Sequence, residues 1–238
     1  MGLGTSSKVK ILFLDIETSP NLAYVWEKYE QDVIAFKKER SLLAFSYKFF
    51  GEKRVKSYCL KDFNSEIKLV KKLHEVISGA EIICGHNIDK FDLKMANSFF
   101  AHYNLTPPSP YKTIDTLKIC RSKFRFNSNH LNDLGEYLGV GKKVETGGFK
   151  LWEGCIKNNP KSWKLMKKYN RGDITLLEKV YLKLRPWGKF DVRIGKGLKC
   201  STCGSDNLRP EGIRKYINYK VQRYKCTNCG HWEQKKIK

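Results

Sequence analysis

The chain has 238 residues, enough for one substantial core and a small appendage, and its 46 Lys+Arg against 24 Asp+Glu give a formal charge of +22. A positive field of that size draws in polyanions, of which nucleic acid is the commonest, although Lys outnumbers Arg 36 to 10 and a Lys-rich surface also serves solubility. No apolar stretch approaches the ~20 residues that span a bilayer and no secretory signal is present, so the expectation is an intracellular, cytoplasmic protein without a membrane partner.

Met1-Gly2-Leu3-Gly4-Thr5-Ser6 fits the short myristoylation pattern, but one acyl chain anchors only marginally, and a flexible leader is expected there. Lys8 to Leu14 reads as a strand. Residues 19–40 read as a loop or short helical excursion carrying Tyr24, Trp26 and Tyr29. Two aromatic-rich runs, 41–50 and 55–60, flank Gly51-Glu52-Lys53-Arg54 and predict a hairpin. From Ser65 onward, Leu69, Val70, Leu73, Val76 and Ile77 recur at helical spacing, with Asn64 or Ser65 as cap.

Residues 81–85 form a short predicted strand, followed by a helix through Leu93, Ala96 and Phe100. Lys112 to Asp115 is a further strand candidate, and Leu131, Leu134 and Leu138 form a helical stripe ending at Gly139. Pro160 opens a long predicted helix through about Leu184, which Pro186 ends. This order predicts an α/β fold, a mixed sheet with helices on its faces. The composition breaks at Pro186-Trp187-Gly188, and Gly195-Lys196-Gly197 reads as linker, dividing the chain into residues 1–186 and 187–238. The second part holds 13 Lys+Arg against 4 acids.

Asp15 and Glu17 follow the apolar run Val9-Lys10-Ile11-Leu12. Side chains alternate along a strand, so both acids project to one side at one end of the sheet. Adjacent anions repel unless a cation lies between them, which favours a divalent metal. Asp92 closes Gly85-His86-Asn87-Ile88-Asp89-Lys90-Phe91-Asp92, after a strand and a turn that can bring it to the same sheet end. Tyr169 and Asp173 stand four apart and so share a helical face. Singly, these residues also read as a solvated strand end, a helix start with Asp89 near its cap, and packing plus surface charge. Together they form the kind of acidic set that holds two hard cations and cleaves phosphodiesters.

The set resembles the tyrosine-branch DEDD (DEDDy) 3′→5′ exonucleases of the ribonuclease H-like superfamily, which includes polymerase proofreading domains. Phe13 to Thr18 looks like the first motif of that family, His86-Asn87 with Phe91-Asp92 like the second, and Tyr169 with Asp173 like the third. The histidine branch would need His at 168, where this chain has Lys168. The resemblance covers about residues 8–186, with Asp115-Thr116-Leu117 as a secondary feature.

It implies a ribonuclease H-like fold and hydrolysis with two Mg²⁺ or Mn²⁺. Asp15 would bridge the ions, Glu17 and Asp173 would complete the water-activating site, and Asp92 would hold the second ion largely through water. Tyr169 would orient the attacking water. The implied substrate is a single-stranded 3′ end, with DNA favoured over RNA. The motifs assign no role to Tyr24–Tyr29, for which local packing and a base-stacking platform are both open.

Of eight cysteines, Cys59, Cys84, Cys120 and Cys155 are isolated and read as ordinary buried or half-buried thiols. Cys200-Ser201-Thr202-Cys203-Gly204 and Cys226-Thr227-Asn228-Cys229-Gly230 are two matching knuckles, which in an intracellular chain speak for metal rather than disulfides. Four thiolates in such pairs predict a closed structural Zn²⁺ site, and the 22 residues between the pairs, with the alternating aromatic and β-branched run Tyr216 to Tyr224, suit a β-hairpin. The segment resembles a zinc ribbon, with His231 expected at the surface. Its role is open between gripping nucleic acid and docking a replication or repair protein. For the whole chain, a noncatalytic nucleic-acid-binding or adaptor protein and a structure-selective endonuclease are the alternatives to the exonuclease.

Overall fold

Alternation along the first apolar strand sets the layering of the molecule. The computed structural model describes residues 9–29, 32–188, 190, 192–193 and 197–237; the leader pattern at 1–6 and linker residues 195 and 196 lie outside them. In chain order the elements are β1 (Ile11–Thr18), β2 (Leu22–Tyr24), β3 (Ala35–Lys38), β4 (Leu42–Phe49), β5 (Lys56–Cys59), α1 (Leu60–Phe63), α2 (Glu66–Ser78), β6 (Ile82–Gly85) and α3 (Asp92–His102). They continue with β7 (Lys112–Asp115), α4 (Thr116–Lys123), α5 (Leu131–Tyr137), α6 (Lys150–Ile156) and α7 (Pro160–Leu184). After a 3-10 turn at Arg185–Trp187 come β8 (Leu208–Lys215), β9 (Lys220–Cys226) and β10 (Trp232–Ile237).

The main sheet runs β5-β4-β1-β6-β7, with β4 antiparallel to β1 and β5 antiparallel to β4, while β6 and β7 are parallel to β1. Leu12, Leu14 and Ile16 of β1 point into a core shared with α2 and α3. Ile11 and Phe13 point the other way, into a core with α4, α5 and α7. A third cluster joins Leu43 and Ala44 of β4 to Trp163 and Met166 of α7 and Cys155 of α6. Helices thus cover both faces of a mixed sheet, as the element order predicts. Burial pushes the thiols of Cys59, Cys84, Cys120 and Cys155 upward, the last to about 12, consistent with inert core residues.

The predicted hairpin, the strand after residue 81 and the long helix from Pro160 all form, the last over 25 residues with Asn159 as its cap. Residues 19–40 depart from expectation: β2 and β3 pair as a hairpin rather than a loop or helix. Its strands are exposed or half-buried, so they lack the in-out alternation that marks a strand in a sequence. Trp26 and Tyr29 are 83% and 81% exposed. Three short helices, α1, α4 and α6, were not anticipated.

The C-terminal strands form a separate sheet in the order β10-β9-β8, which fits a small zinc ribbon. The hairpin expected between the knuckles forms as β8 and β9, its turn at Tyr216–Tyr219 closed by Tyr216 N–H on the Tyr219 carbonyl at 2.8 Å. His231 is not a plain surface residue: its Nδ1 donates to the Pro186 carbonyl at 2.6 Å, tying the ribbon to the end of the long helix. Val192 adds a second tie, packing in the α7 core while its N–H donates to Ser201 O at 2.8 Å. Among the described residues no helix is long and apolar enough to cross a membrane.

Candidate active site

Asp15 and Glu17 lie within β1 rather than after it, because the strand continues to Thr18, with a register shift between Glu17 and Thr18. Their odd positions put them on the α7 face, where Ile11 and Phe13 are buried farther back. α7 crosses this face with an apolar stripe that includes Met166, Ile174 and Leu177, interrupted at Asn170 and Asp173. The interruption lies against the acids of β1. Ligand oxygens of Asp15, Glu17 and Asp173 all fall within 4.8 Å of one another.

Asp92 is not in that tight set of three but borders it. It opens α3, and its Oδ1 accepts the Ile16 N–H at 3.0 Å, which fixes it against the same stretch of β1. Its charge acts on Asp15, whose carboxyl is raised well above the usual range by burial and then by Asp92 and Glu17. Burial and Asp173 push Glu17 up to about 8, and burial pushes Asp92 up to about 7 against the Ile16 hydrogen bond. Burial also raises Asp173. So concentrated an anionic pocket holds protons unless a cation replaces them.

Tyr169 reaches the same group. Its hydroxyl and the Asp173 carboxylate, one turn on, share the Lys143 ammonium, and burial followed by the Asp173 charge raises the phenol further above its ordinary value. The five residues singled out by spacing therefore converge, three as a compact cluster and two at its edge.

Three further side chains complete the surroundings. Asn170 is fully buried and donates from Nδ2 to Asp15 Oδ2 at 2.5 Å, which fixes that carboxylate's orientation. Lys143, in the segment between α5 and α6, donates to Asp173 Oδ2 at 2.7 Å and to Tyr169 Oη at 3.1 Å. Burial works against its charge, yet the Asp173 carboxylate keeps its pKa raised. Trp152 of α6 packs edge-on to Tyr169, with ring centroids 6.0 Å apart, and acts to lower the Glu17 pKa against burial. Asn170 carried a readable signal, an amide on the helical stripe of Met166, Ile174 and Leu177. Lys143 and Trp152 carried none.

The loop leading to Asp92 is held from behind. Asp115 caps α4 and accepts N–H bonds from Asn87 at 3.0 Å and Leu117 at 2.9 Å. Burial lowers the His86 pKa, and the ring is held by Nε2 on Asn129 O at 2.8 Å and by Nδ1 beside Thr116 Oγ1 at 2.9 Å, whose own proton goes to the Gly85 carbonyl at 3.0 Å.

The donor set is all oxygen and suits a hard divalent cation. Asp173 Oδ1 is buried without a hydrogen-bond partner among the described residues, an open acceptor of the kind that a bound ion satisfies. Elsewhere, Cys200, Cys203, Cys226 and Cys229 form a second candidate metal group, with sulfur atoms within 4.8 Å of one another. Gly204 and Gly230 adopt φ of +73° and +83°, the left-handed conformation that closes each knuckle.

Known proteins bear on this arrangement in three ways. Over 79 residues the chain is 34% identical to Protein NEN3 of Arabidopsis thaliana, a match covering 32% of this chain and 15% of that protein. Its fold is similar to the family B DNA polymerase of the archaeon Pyrobaculum calidifontis, with a TM-score of 0.52 and 16% identity, over 78% of this chain and 26% of the polymerase. The chain thus spans a small part of each relative's length. The RNase_H_2 family model of the RNase H superfamily matches residues 12–185, the whole stretch that builds the acidic site. The chain belongs to the RNase H superfamily.

Proposed function

We propose that the chain is a metal-dependent 3′→5′ exonuclease that hydrolyses phosphodiester bonds of nucleic acid, with single-stranded DNA ends favoured. The observation that carries this reading is the gathering of Asp15, Glu17 and Asp173 oxygens within 4.8 Å, bordered by Asp92 and Tyr169. Asp15, Glu17, Asp92 and Asp173 would hold two Mg²⁺ or Mn²⁺. Such ions, when bound, supply an activated water and stabilise the leaving 3′ oxygen.

The chain's own groups do the positioning. Asn170 locks Asp15 so that one of its oxygens faces its neighbours in a fixed direction. Tyr169, its phenol too basic to lose a proton at neutral pH, orients the attacking water by hydrogen bond. Lys143 supplies positive charge beside Tyr169 and Asp173, where a phosphate oxygen gains it.

Residues 1–186 carry the chemistry in this reading. Residues 187–238 form a zinc ribbon in which Cys200, Cys203, Cys226 and Cys229 hold one structural Zn²⁺, and the ribbon aids binding of substrate or a partner. Sulfur pairs already lie 3.6 Å apart, Cys200 with Cys229 and Cys203 with Cys226.

The test is digestion of 5′-labelled and 3′-labelled single-stranded DNA, duplex DNA and RNA with Mg²⁺, Mn²⁺ or chelator. Mononucleotides released from the 3′ end only with divalent ion are expected, and Asp15→Ala or Asp173→Ala should abolish release while strands still bind. Undiminished release by the double variant would end the reading, and oligomeric products would replace it with an endonuclease.

A further inference from the structure

The C-terminal sheet carries a charged and aromatic surface that the acidic site does not use. Directly opposed residues on neighbouring strands share a face. The register opposes Lys225 to Trp232 and Arg209, Arg223 to Gln234, and Val221 to Lys236 and Arg214. One face therefore presents Arg209, Arg214, Arg223, Lys225 and Lys236 around Trp232. Glu233 opposes Tyr224 and belongs to the other face, where it accepts the Ser201 N–H. Glu211, engaged by Arg209 Nε at 2.8 Å, leaves the remaining four cations uncompensated by it.

The aromatic rings are interleaved with these charges. Arg223 and Lys225 lie 5.7 and 5.9 Å from the centroid of Trp232, which is 47% exposed. Lys236 lies 5.2 Å from the Tyr219 ring and Arg214 5.3 Å from the Tyr216 ring. Tyr216 and Tyr219 stack on each other with centroids 4.7 Å apart. Arg223 Nε is buried and lacks a hydrogen-bond partner among the described residues. Flat rings beside cations that form no ion pair among the described residues match an alternation of unpaired bases and phosphates. A duplex hides its base faces, so it can use the cations but not the rings.

We propose that this face binds single-stranded nucleic acid, with bases stacking on Trp232 and on the Tyr216–Tyr219 pair and phosphates held by Arg214, Arg223, Lys225 and Lys236. It deepens, and rests on, the substrate-binding role given to the ribbon above. The test uses the full zinc-loaded chain in an Asp15→Ala background, so that strands stay intact. It is titrated with oligo(dT), oligo(U) and a duplex of equal length.

Single strands should quench tryptophan fluorescence, and Trp232→Phe should remove much of that quench while keeping most of the affinity. Trp232→Ala should weaken single-strand binding about tenfold and duplex binding less. Arg223→Gln with Lys225→Gln should lower the single-strand salt slope of log affinity by about 1.4. Loss for DNA, for RNA or for both supports the surface. One zinc per chain verifies each variant's ribbon, and if Trp232→Ala loses zinc the Arg223/Lys225 pair decides.

Affinity and slope equal to the unsubstituted chain in zinc-loaded variants would overturn the proposal, including in favour of a protein-docking ribbon. Nucleotide release by the chain with Asp15 intact is read separately. Weakened binding without any release would end the nuclease reading alone, and normal release with unaltered binding would end this surface alone.

Discussion

Lys143 reaches Asp173 across 30 residues of chain and Tyr169 across 26, and it bonds the carboxylate that a divalent ion would share. Its charge lowers the pKa of Asp15, Glu17, Asp92 and Asp173, against the burial that raises all four. We predict that Lys143→Met moves the pH–rate profile to the alkaline side and lowers the rate at neutral pH about tenfold, the effect of one pKa unit. An unshifted profile would remove Lys143 from the electrostatics of the site. A second prediction concerns Glu17, whose carboxyl rises from 4.5 to about 8 on folding. A raised acid stabilises the fold while protonated, so this contribution is complete below about pH 4.5 and lost as pH climbs through about 8. The metal-free protein should therefore melt at progressively lower temperature over that range. Mn²⁺ should raise the melting temperature more at about pH 8 than at about pH 6, where protons compete for the same oxygens. A metal-induced shift that shrinks with rising pH would contradict it. The acids and Tyr169 were legible because their spacing follows strand and helix periods. Lys143 and Trp152 were not, because each meets its partner through a segment whose course no local period records.

At the scale of elements, the path that delivers Lys143 depends on one close approach. Gly135 of α5 faces the returning chain, and a Cβ there would stand 2.5 Å from the Gly141 carbonyl and 2.7 Å from Leu176 Cδ1. The same turn is closed by Val140 N–H on Gly135 O at 2.9 Å, and Lys143 N–H then donates to Asn132 Oδ1 at 2.9 Å. Alanine normally favours a helix over glycine by about 1 kcal/mol, but overpacking against backbone costs about 1–3 kcal/mol. We predict that Gly135→Ala is net destabilising by about 1 kcal/mol or more in urea titration, with a fall in rate at saturating metal because Lys143 is displaced. A stabilised variant with full activity would refute this. The regular elements were legible wherever one face is buried, as in the helix from Ser65 and the strands beside β1. The β2–β3 hairpin hid because neither of its strands buries a face. The short helices α4 and α6 hid because each buries a single aliphatic side chain, Ile119 or Leu151, whereas the equally short α5 shows a leucine stripe.

For the molecule as a whole, the charge of +22 and the matching knuckles were readable as composition and spacing. How the ribbon attaches was not, since the Pro186–His231 bond joins residues 45 apart. That attachment makes α7 a ruler. One helix bears Asp173 in the acidic pocket, and the chain just past its end, at Pro186, anchors the ribbon. At helical rise the interval is about 20 Å, which a single strand with its bases stacked spans in about six nucleotides. An oligonucleotide shorter than that could occupy pocket or ribbon, whereas a longer one could bridge both and gain from its own tethering. Dissociation constants measured against strand length should therefore fall gently, then steeply once the span is exceeded. A smooth decline with no break would mean that the two ends of the helix never hold the same strand.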